Sequence, residues 1–132
     1  MRHALAGKKI LWVEDDEFLS NVIGRKLAME ECILIRTKDA EAALAQVEEA
    51  QPDIIILDIL LPDINGFELL QKLKSMPTVK HVPVILLSNL GQESDIERGA
   101  KLGAERFLVK ATLTLDEIIE QVVDVLEKKS KK

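Results

Sequence analysis

Short apolar runs alternate with longer amphipathic stretches five times along this chain, and that alternation leaves few folds open. The runs are Ile10-Leu11-Trp12-Val13, Cys32 to Ile35, Ile54 to Leu57, Val84 to Leu87 and Phe107-Leu108-Val109. Each is unbroken by polar residues and rich in β-branched types, the pattern of a strand covered on both faces. The stretches between them read as helices. In the first, Phe18, Leu19, Val22, Ile23 and Leu27 share a face. The second carries Ala43, Leu44 and Val47 behind an N-cap at Asp39 and closes at Pro52. The third follows Asn65-Gly66 with Phe67, Leu70 and Leu73. The fourth offers only the thin face Ile96, Gly99, Ala100 and Gly103, so it is expected to be the least firmly held. The fifth opens on the capping box Thr114-Leu115-Asp116-Glu117 and continues as the stripe Leu115, Ile118, Ile119, Val122 and Leu126.

Five βα units build a parallel sheet with helices on both faces, because right-handed crossovers put them there. The 132 residues suffice for one such domain. It is expected over residues 8–127, between an N-terminal tail (1–7) and a basic C-terminal tail (128–132). A net charge of −5 argues against direct nucleic-acid binding, which needs clustered Lys and Arg. Cys32 is alone, so no internal disulfide forms and a reducing cytoplasm is the expected setting. Nothing resembles a signal peptide or the roughly twenty apolar residues of a membrane span, so no membrane partner is expected. Trp12, the only tryptophan, reads as core filling.

In an open α/β sheet ligands sit outside the carboxyl ends of the strands. The first run ends in Glu14-Asp15-Asp16, the third in Asp58, the fourth in Ser88 and the fifth in Lys110. Singly these have plain explanations: Asp15 or Asp16 as a helix cap, Ser88 bonded to local backbone, Lys110 solvated. Together Glu14, Asp15 and Asp58 bring about three negative charges and Lys110 one positive charge to one edge, and carboxylates so crowded repel one another. A hard divalent cation removes that deficit. Mg²⁺ suits it (Mn²⁺ is the alternative), since Mg²⁺ takes one or two carboxylates together with waters and phosphoryl oxygens. Ser88 and Lys110 remain as donors for the oxygens of a phosphoryl group.

Four motifs in order, Ile10-Leu11-Trp12-Val13-Glu14-Asp15-Asp16, Leu57-Asp58-Ile59-Leu60-Leu61-Pro62-Asp63-Ile64-Asn65-Gly66, Leu87-Ser88-Asn89 and Phe107-Leu108-Val109-Lys110, resemble the receiver domain of two-component response regulators, including the chemotaxis receivers. The resemblance implies a flavodoxin-like doubly wound sheet with strand order 2-1-3-4-5. It implies that Asp58 accepts a phosphoryl group from a histidine kinase or phosphotransfer protein, and that the chain is no enzyme beyond assisting its own phosphorylation and dephosphorylation. Asp15 and Asp58 would hold the metal directly with the Leu60 carbonyl, and Glu14 would act through a bound water. Lys110 and Ser88 would take the phosphoryl oxygens. Ser88 and Phe107 would carry the change to the face of the fourth helix, fifth strand and fifth helix, where a downstream protein, an effector domain of the same protein or a second copy would dock.

Two departures from that family stand out. Ala111 replaces the Pro that usually follows the active-site Lys, and without Pro a cis bond costs about 2.5–4 kcal/mol, so a trans Lys110–Ala111 peptide is expected. Leu60 and Leu90, two residues beyond Asp58 and Ser88, are apolar where the family sets the path of the hydrolytic water. They are expected to lengthen the lifetime of the phosphoryl form. Two rivals are a phosphate-independent binding module of the same fold and an enzyme, either a metal-dependent phosphohydrolase or a flavodoxin-like flavoprotein. The intact acid, hydroxyl and lysine set counts against the first. The lack of Tyr, of a Gly-rich turn and of a placed general acid or base counts against the second.

Overall fold

The structure is a computed structural model and describes residues 5–89 and 91–130, with side chains as far as Lys128. Among these residues the strands are β1 (Lys9–Val13), β2 (Ile33–Thr37), β3 (Ile54–Asp58), β4 (Val84–Ser88) and β5 (Arg106–Val109). The helices are α1 (Glu17–Ala28), α2 (Ala40–Ala50), α3 (Gly66–Lys74), α4 (Glu93–Lys101) and α5 (Leu115–Ser130), with a 3₁₀ turn at Lys110–Thr112. All pairings are parallel and the order is β2-β1-β3-β4-β5, as the family resemblance implied.

Alternation along the strands divides the core in two. Ile54 and Ile56 of β3 join Trp12, Ile85, Leu87 and the α1 and α5 residues Ile23, Leu27, Ile118 and Val122. Ile55 and Leu57 join Leu11, Val13, Leu86 and the α2 and α3 residues Ala43, Val47, Phe67 and Leu70. β3 and β4 are buried at every residue, as unbroken apolar runs require.

Three local expectations are corrected. β2 is not covered on both faces: it is the sheet's edge strand, and Ile33 is half exposed. Phe18 leaves the apolar face of α1 and stands 78% exposed. Leu19, Ile23 and Leu27 recur every four residues and already make the stripe; Phe18 is rotated about 100° from Leu19. Ala100 is likewise exposed, so of the expected face of α4 only Gly99 is buried.

The contrast between the last two helices is large. α5 buries Ile118, Ile119, Val122, Val123, Val125 and Leu126, each worth about 1.5–3 kcal/mol. Its capping box forms, with Glu117 N donating to Thr114 Oγ1 at 3.1 Å and Thr114 N to Glu117 Oε1 at 2.8 Å. α4 buries no large side chain; it leans on the sheet through Gly99, where a Cβ would stand 2.8 Å from Leu86 Cδ1. Arg98 adds a cation–π contact, its guanidinium 4.4 Å from the centre of the Phe67 ring.

Gly66 fixes how α3 meets the end of β3. A Cβ there would lie 2.5 Å from the Asp58 carbonyl oxygen and 2.6 Å from Ile59 Cα. Neither backbone atom can swing aside as a side chain would. Gly66→Ala is therefore expected to destabilise the domain by about 1–3 kcal/mol. A urea midpoint equal to wild type would show that this junction yields freely.

Candidate functional site

Strand register puts the chemistry on one edge. Val13 pairs with Leu57, Asp58 with Leu87 and Ser88 with Val109. The next residues along β1 and β5, Glu14 and Lys110, therefore emerge beside Asp58 and Ser88. Glu14 extends the ladder by one bond, its N–H donating to Thr37 O at 2.9 Å.

Lys110 joins two of these strand ends. Its Nζ donates to Glu14 Oε1 at 2.7 Å and to Asp58 Oδ2 at 2.8 Å. Glu14 is 3% exposed and Asp58 7%. No peptide among the described residues is cis. The lysine thus reaches both carboxylates from a 3₁₀ turn that it forms with Ala111 and Thr112.

The three consecutive acids divide their work. Glu14 is the buried partner of Lys110, and its Oε2 also accepts from Asp16 N at 3.3 Å. Asp16 is the N-cap of α1, accepting from Leu19 N at 3.0 Å. Asp15 lies exposed between them and makes no hydrogen bond or ion pair among the described residues. Glu14, Asp15 and Asp58 each offer an oxygen within 4.8 Å of the others. Such an all-carboxylate donor set fits a hard divalent cation, with Asp15 the member no other contact occupies.

The charges support that fit. Burial pushes the Glu14 carboxyl above its usual range; the hydrogen bond and charge of Lys110 pull it back, and the neighbouring Asp58 charge pushes it up again, leaving it raised. Burial alone would lower Lys110, but the hydrogen bonds and charges of Asp58 and Glu14 outweigh it, and the ammonium is held above the ordinary lysine value. Both groups bind protons more tightly than usual, Glu14 chiefly because it is buried and Lys110 because of the two carboxylates around it.

The other expected residues lie as follows. Ser88 is buried at the end of β4. Phe107 is half-buried under α4, its ring edge 3.5 Å from where a Cβ on Gly99 would sit. Leu60 donates its N–H to Asp58 Oδ1 at 3.2 Å, while its side chain is 61% exposed. Leu90 lies outside the described residues.

One residue read in the sequence only as part of a motif proves to position the site. Asp63 sits in the connection from β3 to α3, yet its oxygens accept from the first N–H groups of α2, Ala40 at 3.1 Å and Glu41 at 2.9 Å, as well as from Ile64 at 3.0 Å. With Asp39 accepting from Ala42 N at 2.8 Å, the first turn of α2 is capped by two carboxylates, one of them from 23 residues away. The same connection is pinned at its other end by Gly66 N donating to Ile59 O at 2.7 Å and by the Leu60–Asn65 bridge. The Leu60 peptide beside Asp58 is thereby held from both sides. The motif Leu61-Pro62-Asp63 was legible, but a partner so distant in sequence was not.

The Ala40 N–H foremost, then those of Glu41 and Ile64, outweigh the loss of water and hold the Asp63 carboxyl below the usual aspartate range. A lowered acid contributes stability above its unfolded-state value, and that contribution is lost as pH falls through the folded value. Asp63→Asn is thus expected to lower the denaturation midpoint at neutral pH, with the gap from wild type closing as pH falls below the ordinary aspartate range. A gap unchanged by acid would assign the effect to something other than the carboxylate's charge.

Residues 10–123 match the family model described as the response regulator receiver domain. The response regulator PleD of Caulobacter vibrioides is 37% identical over 102 residues, covering 77% of this chain and 22% of PleD; the chain thus spans about a fifth of that relative's length. Among solved structures, the non-phosphorylated HemR receiver domain from Leptospira biflexa is 28% identical with a TM-score of 0.82, covering 90% of this chain and 94% of that one. The Mn(2+)-bound form of the response regulator Rcp1 is 29% identical with a TM-score of 0.74, covering 89% and 91%.

Proposed function

Because the chain belongs to the response regulator receiver family, whose general function is to accept a phosphoryl group in two-component signalling, we propose that Asp58 is its phosphoacceptor. The observation that carries this reading is the bridge of Lys110 Nζ between Asp58 and Glu14, with the Asp15 carboxylate open beside them. The donor is a phosphohistidine on a histidine kinase or phosphotransfer protein, or a small acyl phosphate. A carboxylate oxygen of Asp58 attacks phosphorus, the bond from phosphorus to the imidazole nitrogen breaks, and the imidazole leaves with the electron pair.

Asp15, Asp58 and the Leu60 carbonyl, with Glu14 behind them, are the residues to hold a divalent cation. When bound, Mg²⁺ (or Mn²⁺) supplies positive charge against the carboxylates and the incoming phosphoryl oxygens. Before transfer Lys110 fixes the rotamer of Asp58 and offsets its charge. Once Asp58 carries the phosphoryl group as an acyl phosphate, the ammonium is free to pair with a phosphoryl oxygen, and the Ser88 hydroxyl donates to another.

Movement of Ser88 toward the phosphoryl group loosens the packing under α4, where Phe107 lies beneath a helix that buries no large side chain. The face of α4, β5 and α5 is then the output surface, for a downstream protein, an effector domain of the same protein or a second copy. The receiver domain comprises residues 8–127 and works in the cytoplasm; of the segments expected as tails, Leu5 packs into the core and α5 runs on to Ser130. The domain turns over no external substrate and binds no nucleic acid directly; no described helix is long and apolar enough to cross a membrane.

The exposed Leu60 side chain, with Leu90, keeps the hydrolytic water from the acyl phosphate and prolongs its lifetime. Incubation with acetyl phosphate and Mg²⁺ followed by intact mass is expected to add one phosphoryl group to wild type and none to Asp58→Asn. The adduct should decay faster in Leu60→Asn with Leu90→Glu. No adduct in either single protein rejects the phosphoacceptor, and equal decay rejects the role of the leucines alone.

A further inference from the structure

The α4 helix is held unevenly along its length. At its C-terminal end Leu102 and Ala104 pack against the core that contains Phe67, and Ala104 N donates to Gly99 O at 3.0 Å. The Lys74 stem lies beside Gly103, where a Cβ would stand 3.5 Å from Lys74 Cε. Lys74 is itself anchored, its Nζ donating to Lys80 O at 3.3 Å and to Val82 O at 3.2 Å. The N-terminal end has no such support. Gln92 makes no side-chain cap, Glu93, Ser94 and Glu97 are exposed, and Ile96 is 40% exposed. The segment arriving from Ser88 joins the helix at this end.

Between the two ends stands Arg98. Its guanidinium lies 4.4 Å from the centre of the Phe67 ring, and it makes no hydrogen bond or ion pair among the described residues. The ring is fixed independently of the helix above it. Phe67 is 2% exposed, and its N–H donates to Asn65 Oδ1 at 2.7 Å. It follows Gly66, whose close approach to Asp58 O and Ile59 Cα sets the start of α3. Arg98 therefore reaches from the weakly held helix onto the firmly held flank of the site.

We propose that Arg98 is a latch: its contact with Phe67 holds down a helix otherwise hinged at Leu102 to Ala104, so that losing the contact frees the first two turns of α4 and leaves the last in place. Arg98 is thus a positioning residue for the output helix, acting through Phe67. This role is separate from those given to Ser88 and Phe107. It rests on the phosphoacceptor reading only for what opens the latch, since an inward pull at Ser88 acts on the end of α4 that nothing else secures. A cation–π contact at an exposed site favours the closed helix by roughly twofold to fivefold. A latch of that strength holds the helix without locking it.

Backbone-amide hydrogen exchange followed by NMR tests the latch, and with no metal or phosphodonor added its outcome is separate from that of phosphorylation. Arg98→Met keeps an unbranched stem and removes the cation. Protection of the Ile96 and Glu97 amides is expected to fall roughly twofold to fivefold in this variant, while that of Leu102 and Ala104 holds. A cation in the last turn of a helix is also favoured by the helix dipole, without any help from Phe67. The change is therefore repeated in Phe67→Leu, where adding Arg98→Met should lower protection at Ile96 and Glu97 little further. The amides of α5 report that each variant remains folded. Unchanged protection at Ile96 and Glu97 in Arg98→Met overturns the latch, as does an equal fall with and without the Phe67 ring. A fall as large at Leu102 and Ala104 overturns the hinge.

Discussion

One ammonium between two buried carboxylates organises this molecule. Lys110, Asp58 and Glu14 come from the ends of β5, β3 and β1, and none could be buried without the others. An isolated charge in such surroundings costs several kcal/mol; paired and hydrogen-bonded, it is tolerated. The pairing still leaves negative charge in excess; burial raises the proton affinity of Glu14, and the two carboxylates raise that of Lys110. A site in this condition is suited to take up positive charge and then a phosphoryl group. The fold's part is register: parallel strands of matched length set the three residues at one edge.

The connection after β3 gives that edge its precision. Asp63 ties it to the start of α2, while Gly66 lets α3 press against the Asp58 backbone. The Leu60 N–H between these anchors donates to Asp58. By contrast α4, on the other side of the site, rests on a glycine contact and one cation–π pair. Rigid support on one flank and a thinly held helix on the other is the asymmetry a switch needs, since the weak flank can move without disturbing the acids.

Much of this was legible in the sequence because it is local or periodic. The apolar runs mark the strands, the capping box marks the start of α5, and the spacing of Asp58, Leu61-Pro62-Asp63 and Gly66 marks the family. What was not legible depends on partners distant in the chain or on position within the sheet. The exposure of Ile33 follows from β2 being an edge, which a run of apolar residues does not reveal. Phe18 has the right type for the core, but three better-spaced residues fill the face of α1. The tie from Asp63 to Ala40 and Glu41 and the contact of Arg98 with Phe67 are products of tertiary packing. Which of three consecutive acids would cap, pair or stay open was likewise decided by the path of the chain from β1 into α1.

The proposal that Glu14, Asp15 and Asp58 hold one divalent cation, with Asp15 the open member, rests on the three oxygens lying within 4.8 Å of one another. Calorimetric titration with Mg²⁺ tests it most directly. The expected result is one ion per wild-type chain, with affinity lowered roughly tenfold or more in Asp15→Asn. No binding to wild type, or equal binding to the variant, would contradict the account.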